Sequence, residues 1–195
     1  MSTKPRLIAS LALALALLNA RAQDKPLFHF TAKPGSHSVG LRVVEQYDYA
    51  RVYRSATNDL GKPYPGERAR PLQTLIWYPS KKSSGTPMTV GDYSKLMASE
   101  TSFDKPKLDH DAEDWIKGMT PTLAMPLWAV RDAPLESGRF PLVIYAPSFS
   151  AMSWENADLC EYLASHGYVV IASPDMGAST RAMTEIGRAS CRERV

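Results

Sequence analysis

The chain has 195 residues, enough for one domain with a few additional segments, which excludes a large multidomain enzyme. Apolar residues make up 44% and charged residues 22%, close to the averages for globular proteins, which excludes a disordered chain and a polytopic membrane protein. The formal charge of +3 arises from the two ends of the sequence, where most of the excess of basic residues lies. The stretch between them shows no basic excess of the kind that indicates binding to nucleic acid.

The first 22 residues have the pattern of a secretory signal peptide. Lys4 and Arg6 precede an apolar run over residues 7–18, and alanines stand at the −3 and −1 positions of a signal-peptidase site before Gln23. About twelve apolar residues span roughly 18 Å as a helix, well short of the roughly 30 Å of hydrocarbon in a bilayer. We therefore predict cleavage before Gln23, export to the periplasm or secretion, and no stable membrane anchor.

The segments that follow the leader favour β-strands. Residues 23–37 predict no regular element, because prolines and a glycine interrupt them. Apolar and aromatic residues alternate or cluster over residues 39–53, which predicts a strand or a hairpin. Residues 72–79 predict a second strand, and Pro79 is expected to end it because proline cannot donate a ladder hydrogen bond.

Residues 80–135 are the least regular part of the sequence. Short helices are predicted at residues 91–99 and 111–118, and the stretch is either an insertion or lid over a site or a solvated excursion between two strands. His110 and the acidic residues after it are of metal-ligating types. Acidic residues are also favoured in the first turn of a helix, and no second histidine stands at ligand spacing. We therefore predict no metal site and no cofactor.

A strand and a helix are predicted after Gly138. Residues 142–146 form a near-continuous apolar run, which is typical of a parallel strand buried on both faces. Ser153 is predicted to cap a helix over residues 154–165, with Glu155 favourable in its first turn.

A second apolar strand follows at residues 168–172, after Gly167 ends the helix. Strand, helix and strand together form one βαβ unit, which predicts parallel pairing and a right-handed crossover. The predicted fold class is α/β.

Two side chains of reactive type in this unit receive structural interpretations. Cys160 lies inside the apolar helical pattern, which favours packing over nucleophilic chemistry. Because Cys191 belongs to an unusual C-terminal segment, no intramolecular disulfide is predicted. His166 directly precedes Gly167, which favours a role at the end of the helix over one as a catalytic base.

Three segments of the chain show a common resemblance. Residues 140–145 are F-P-L-V-I-Y, residues 163–170 are L-A-S-H-G-Y-V-V, and residues 73–79 end in W-Y-P. These segments resemble the α/β-hydrolase superfamily, in particular dienelactone-hydrolase-like and platelet-activating-factor-acetylhydrolase-like esterases. The resemblance implies the N-terminal part of an α/β-hydrolase sheet, truncated after its fourth strand, and a small ester or lactone as substrate.

The resemblance also implies a site in the loop after the strand at residues 142–146. In the family, backbone N–H groups of this loop form half of the oxyanion hole. The match assigns the donating N–H to Phe149, with Ser148 and Ser150 as substrate-binding neighbours where the family has glycines. Pro147 lacks an N–H and serine tolerates unusual dihedral angles less well than glycine, so a purely structural loop is the alternative.

The nucleophile motif of the superfamily, Gly-x-Ser-x-Gly, does not occur in the sequence. The segment Gly177-Ala178-Ser179 is the nearest approximation, but it follows the fourth strand and has Arg181 where glycine is expected. The resemblance therefore implies that all three members of the catalytic triad lie beyond Thr184. Because a serine without its base is a weak nucleophile, the chain itself is expected to be inactive.

The last eleven residues, E-I-G-R-A-S-C-R-E-R-V, match the translation of a widely used sequencing adapter. We therefore predict a signal peptide at residues 1–22, an incomplete α/β-hydrolase domain at residues 23–184 and an adapter-derived tail at residues 185–195. The leading hypothesis is an N-terminal fragment of an exported serine-dependent ester hydrolase. The alternative is a non-catalytic exported binding protein with the same fold, and a separate β-rich module at residues 38–79 is disfavoured because the later apolar strands need partners.

Overall fold

The computed structural model describes residues 32–100, 102–104, 106–108, 110–148 and 151–174. These residues form a six-stranded mixed sheet with the strand order β3-β4-β1-β2-β6-β5. The strands are β1 (Ser38–Val52), β2 (Ala69–Ser80), β3 (Pro87–Thr89), β4 (Pro126–Arg131), β5 (Leu142–Tyr145) and β6 (Val169–Ala172). The helices are α1 (Val90–Lys95), α2 (His110–Gly118), α3 (Thr120–Leu123) and α4 (Ala157–Ser165), and a 3-10 turn at Leu96–Ala98 extends α1. The predicted α/β class is confirmed.

The two longest strands, β1 and β2, form an antiparallel pair at the centre of the sheet. Of the two alternatives for residues 39–53, the single strand is the one observed. Alternate side chains of the pair point into the core, and Leu41, Leu75 and Trp77 are completely buried there. This alternation is the ordinary consequence of the two-residue period of a strand.

Pro79 does not end the second strand, contrary to the prediction, because β2 continues to Ser80. The carbonyl of Pro79 accepts a hydrogen bond from the backbone N–H of Glu136 at 3.1 Å, so this residue's polar edge faces away from β1. A missing N–H on that edge removes no hydrogen bond from the β1–β2 ladder.

The stretch of residues 80–135 is part of the sheet rather than a solvated excursion. Its two strands, β3 and β4, pair with each other, and β4 also pairs in parallel with β1. The two predicted helices are confirmed as α1 with its 3-10 extension and as α2. Thr89 and Asp92 form a capping box at the start of α1, which satisfies backbone N–H groups that the first turn leaves unpaired.

The βαβ unit is confirmed by the parallel pairing of β5 with β6. Helix α4 begins at Ala157 rather than at residue 154, and its N-cap residue Asn156 makes no side-chain capping bond. The buried hydroxyl of Ser153 has no hydrogen-bond partner among the described residues, and the N-cap position is Asn156, so the predicted cap is wrong. Gly167 follows the helix with a φ of +90°, a conformation that glycine adopts without strain.

Strand β5 is not buried on both faces, although its apolar sequence predicted this. Leu142 is 58% exposed and Ile144 is 76% exposed, whereas Val143 and Tyr145 pack against the core. Among the described residues β5 is the last strand of the sheet and pairs with β6 alone. One face of β5 therefore packs on the core, and no layer formed by the described residues covers the other face.

No helix within the described ranges is long and apolar enough to cross a membrane. The predicted signal peptide, Phe149, Ser150, Ser179 and the predicted adapter-derived tail lie outside the described residues.

Candidate functional site

The carboxyl ends of β5 and β6 lie side by side, with Tyr145 paired to Ala172. A cavity of about 320 Å³ opens at these strand ends, and Thr74 of β2 and Ser173 contribute to its lining. The hydroxyls of these two residues are 2.7 Å apart and share a hydrogen bond. Open α/β sheets bind their ligands beyond the carboxyl ends of the strands, which makes this edge the candidate site.

The loop that follows β5 is held in place by Glu155. Its Oε1 atom accepts hydrogen bonds from the hydroxyl of Tyr145 at 2.7 Å and from the backbone N–H of Ser148 at 2.6 Å. The side-chain amide of Asn156 donates to the Tyr145 hydroxyl in turn. The carboxylate thus ties the end of the strand, the start of the loop and the approach to α4 into one unit.

Electrostatics favour the ionised form of Glu155. Partial burial raises the pKa of its carboxyl group, but the hydrogen bonds from Ser148 and Tyr145 outweigh burial, and the pKa lies below its ordinary value. Burial and the neighbouring carboxylate raise the pKa of the Tyr145 phenol, which therefore stays protonated and donates. The sequence placed Glu155 in the first turn of the helix, whereas it lies before the helix and bonds backward to the loop.

Of the predicted site residues, Ser148 is the one that the structure describes. Its backbone N–H is donated to Glu155, and its carbonyl accepts from the N–H of Ala151 at 2.9 Å. The Ser148 residue is exposed. Since Phe149 and Ser150 lie outside the described residues, the oxyanion assignment stays a prediction.

Two further interpretations from the sequence are confirmed. His166 is the C-cap residue of α4, and its Nδ1 atom lies 2.8 Å from the carbonyl oxygen of Tyr162. Cys160 is completely buried, and burial raises the pKa of its thiol to about 12. A thiol that is neither accessible nor ionised near neutral pH is not a nucleophile.

The acidic group at the start of α2 forms ion pairs along one exposed helix face. Asp114 lies 3.1 Å from His110 and 2.9 Å from Lys117, at the helical spacings that bring side chains together. Within the described residues no group of three or more metal-ligating side chains is assembled.

A buried carboxylate that the sequence analysis did not single out joins α4 to the rest of the domain. The Oε1 atom of Glu161 accepts from the hydroxyl of Tyr93 at 2.6 Å, and that hydroxyl accepts from the indole N–H of Trp77 at 2.8 Å. The Oε2 atom accepts from the backbone N–H groups of Trp128 at 2.5 Å and Ala129 at 3.0 Å. Glu161 therefore connects α4, α1, β2 and β4 through one network.

The α/β fold of the chain is similar to that of a solved structure, an esterase. A ferulic acid esterase from Streptomyces cinnamoneus superposes with a TM-score of 0.52 at 21% sequence identity, over 76% of this chain. The match covers 36% of the esterase chain, so the present chain spans about a third of that protein's length. The sequence matches no protein-family model and no curated protein.

Proposed function

We propose that the chain is the N-terminal part of an exported serine-dependent hydrolase of small carboxylic esters or lactones. The main support is the position of the loop after β5, which lies at the carboxyl edge of the parallel pair beside the cavity lined by Thr74 and Ser173. The esterase-type fold of the structural neighbour and the resemblance of residues 140–145 and 163–170 to α/β-hydrolases support the same class.

In this proposal the loop stabilises negative charge on the substrate. A serine oxygen adds to the ester carbonyl carbon as its proton passes to the catalytic base, the carbonyl oxygen becomes an oxyanion, and the backbone N–H of Phe149 donates a hydrogen bond to it. Ser148 and Ser150 contact the substrate beside this point. Because the N–H of Ser148 is already donated to Glu155, Ser148 contributes its hydroxyl. The nucleophile, the base and the acid are assigned to residues beyond Thr184.

A non-catalytic binding protein with the same fold is the second candidate. One observation favours it: Pro147 has no N–H, and the N–H of Ser148 is occupied by Glu155. Two consecutive positions of the loop therefore offer no free backbone donor to an oxyanion. A binding function would need the loop's shape but no such donors.

The two candidates are separated by the natural continuation of the gene. The hydrolase proposal expects Gly-x-Ser-x-Gly after Thr184, followed by an acidic residue and a histidine, and expects the complete protein to hydrolyse a p-nitrophenyl ester. A complete gene without these residues would favour the binding protein.

The present chain is expected to show no hydrolysis in the same assay. Substitution of the motif serine by alanine in the complete protein is the matched control and should abolish its activity. Hydrolysis by the present chain that is lost on Ser179→Ala would contradict the placement of the nucleophile.

A further inference from the structure

A second cavity lies between the helices and the loop that precedes α4. Its volume is about 290 Å³, and its walls come from α1, α2, α3, β4, α4 and the loop. Aromatic and thioether side chains dominate it: Tyr93, Trp115, Met119, Met152 and Trp154. We call it the Trp115–Trp154 cavity, after the two indole rings whose centroids lie 5.9 Å apart.

The two hydroxyl groups in its walls are engaged inside the protein. The hydroxyl of Tyr93 is engaged with Glu161 and Trp77, so this residue presents its ring to the cavity. The hydroxyl of Thr122 donates to the carbonyl of Met119 at 2.8 Å. These walls therefore recognise a ligand by apolar and aromatic contact, with methionine sulfur atoms that favour ring edges.

Charge at the cavity is negative. Glu155 and Asp158 line it, and hydrogen bonds hold the pKa of Glu155 below its ordinary value. Among the residues lining the cavity there is no lysine, arginine or histidine. An anionic ligand is therefore disfavoured, because it would approach two carboxylates without a compensating cation.

The volume sets the size of the ligand. An apolar protein cavity of about 150 Å³ holds a benzene molecule. A cavity of about 290 Å³ therefore has room for one aromatic ring with a short substituent. Glu155 links this space to the candidate site, because it lines the cavity and accepts the N–H of Ser148.

We propose that the Trp115–Trp154 cavity binds an uncharged aromatic group of one ring. Resting on the proposed function, this group is the aromatic part of the ester substrate. The ring packs against Trp115 and Trp154, and the carboxylates of Glu155 and Asp158 exclude free aromatic acids.

The test is calorimetric titration of the full chain with methyl cinnamate at pH 7. Two comparison ligands isolate the two parts of the recognition: the cinnamate anion differs in charge, and methyl (E)-3-cyclohexylacrylate has a saturated ring with the same side chain. We expect methyl cinnamate to bind and each comparison ligand to bind at least about threefold more weakly, since an aromatic pair contributes about 0.5–1.5 kcal/mol beyond its buried area. Equal affinity for the ester and its saturated analogue, or no binding of the ester, would overturn the proposal.

Variants locate the binding site. Trp115→Ala should weaken binding by about threefold to tenfold, and Trp115→Phe should give an intermediate value because it keeps a ring. Tyr168→Ala is the matched control, because Tyr168 is 37% exposed, close to the 42% of Trp115, and lies outside the cavity lining. Asp158→Asn should strengthen binding of the cinnamate anion. Thermal unfolding of each variant verifies that it is folded, and equal affinities of Trp115→Ala and Tyr168→Ala would refute the assignment.

Hydrolysis by the complete protein tests the proposed function separately. Ring binding without hydrolysis of any ester supports the cavity as a ligand site and overturns its role as a substrate subsite. Hydrolysis of aliphatic esters without ring binding supports the proposed function and overturns the cavity proposal.

Discussion

Removing the buried carboxylate of Glu161 should destabilise the fold by about 3–5 kcal/mol. Its two oxygens accept three hydrogen bonds, from the Tyr93 hydroxyl and from the backbone N–H groups of Trp128 and Ala129. A buried donor left without an acceptor costs about 1–3 kcal/mol, and removal of the charge recovers part of its desolvation cost. Since a domain is stable by about 5–15 kcal/mol, Glu161→Ala is expected to remove a large part of the total.

The same carboxyl group should make stability depend on pH. Burial raises the pKa of Glu161 to about 7, against an ordinary value of 4.5, although the three donors act in the opposite direction. The folded protein therefore holds this proton more tightly than the unfolded chain does. The stability contributed by this group is fully present below about pH 4.5 and is lost as the pH rises to about 7, by about 3 kcal/mol in total.

Urea unfolding of the wild-type chain and its variants between pH 5 and pH 8 measures both the stability lost in Glu161→Ala and the pH dependence that Glu161 contributes. Glu161→Gln does not titrate, so the difference in free energy of unfolding between wild type and this variant should narrow as the pH rises. Glu155→Gln is the matched control, because the pKa of Glu155 is lowered and its carboxyl is already ionised across this range. An identical pH dependence for wild type and Glu161→Gln, or a cost below about 1 kcal/mol for Glu161→Ala, would refute the reasoning.

Three further predictions follow from the proposed function and the exposed strand. In the complete protein, Phe149→Pro should lower kcat by about a hundredfold because it deletes an oxyanion donor. Phe149→Ala keeps the backbone N–H and should retain substantial activity. A well-folded proline variant with the parental rate would refute the assignment of Phe149 to the oxyanion hole. Mass analysis of exported protein should show Gln23 as the N-terminal residue, and Met1 retained in a membrane fraction would contradict cleavage. Ile144→Lys should change the stability of the present chain by less than about 0.5 kcal/mol but destabilise the complete protein by about 2 kcal/mol or more, as urea unfolding of both would show. Equal small effects would contradict a further layer over the exposed face of β5 in the complete protein.

Local patterns were sufficient to predict the fold class. The apolar runs at residues 142–146 and 168–172, with the helix between them and Gly167 at its end, predicted a parallel pair that the structure contains. Each of these signals depends on neighbouring residues: the period of a strand, the period of a helix and the conformational freedom of glycine. The two short helices within residues 80–135 were predicted on the same basis.

Pairing between distant segments was not predicted. β4 is six residues long and pairs with residues of β1 that lie 90 positions earlier in the chain, so nothing in its own sequence specifies its partner. The sequence predicts that Pro79 ends a strand, whereas the strand continues to Ser80, because the sequence does not reveal which edge of a residue faces the neighbouring strand. The exposure of Leu142 and Ile144 likewise depends on which layers cover β5, and not on the apolar character of the strand.

Two glutamates six residues apart, Glu155 and Glu161, differ in how far the sequence can predict their partners. Glu161 stands four residues after Ala157 and three before Ala164, on the face of α4 where both alanines and Cys160 are buried. A charged residue at a buried helical position requires partners, so periodicity alone indicates a buried network there. No such signal marks Glu155, because its partners Ser148 and Tyr145 depend on how the loop folds back after β5. Helical spacing can therefore identify the residue that stabilises this fold, whereas the residue that positions the candidate site becomes visible once the loop's path is known.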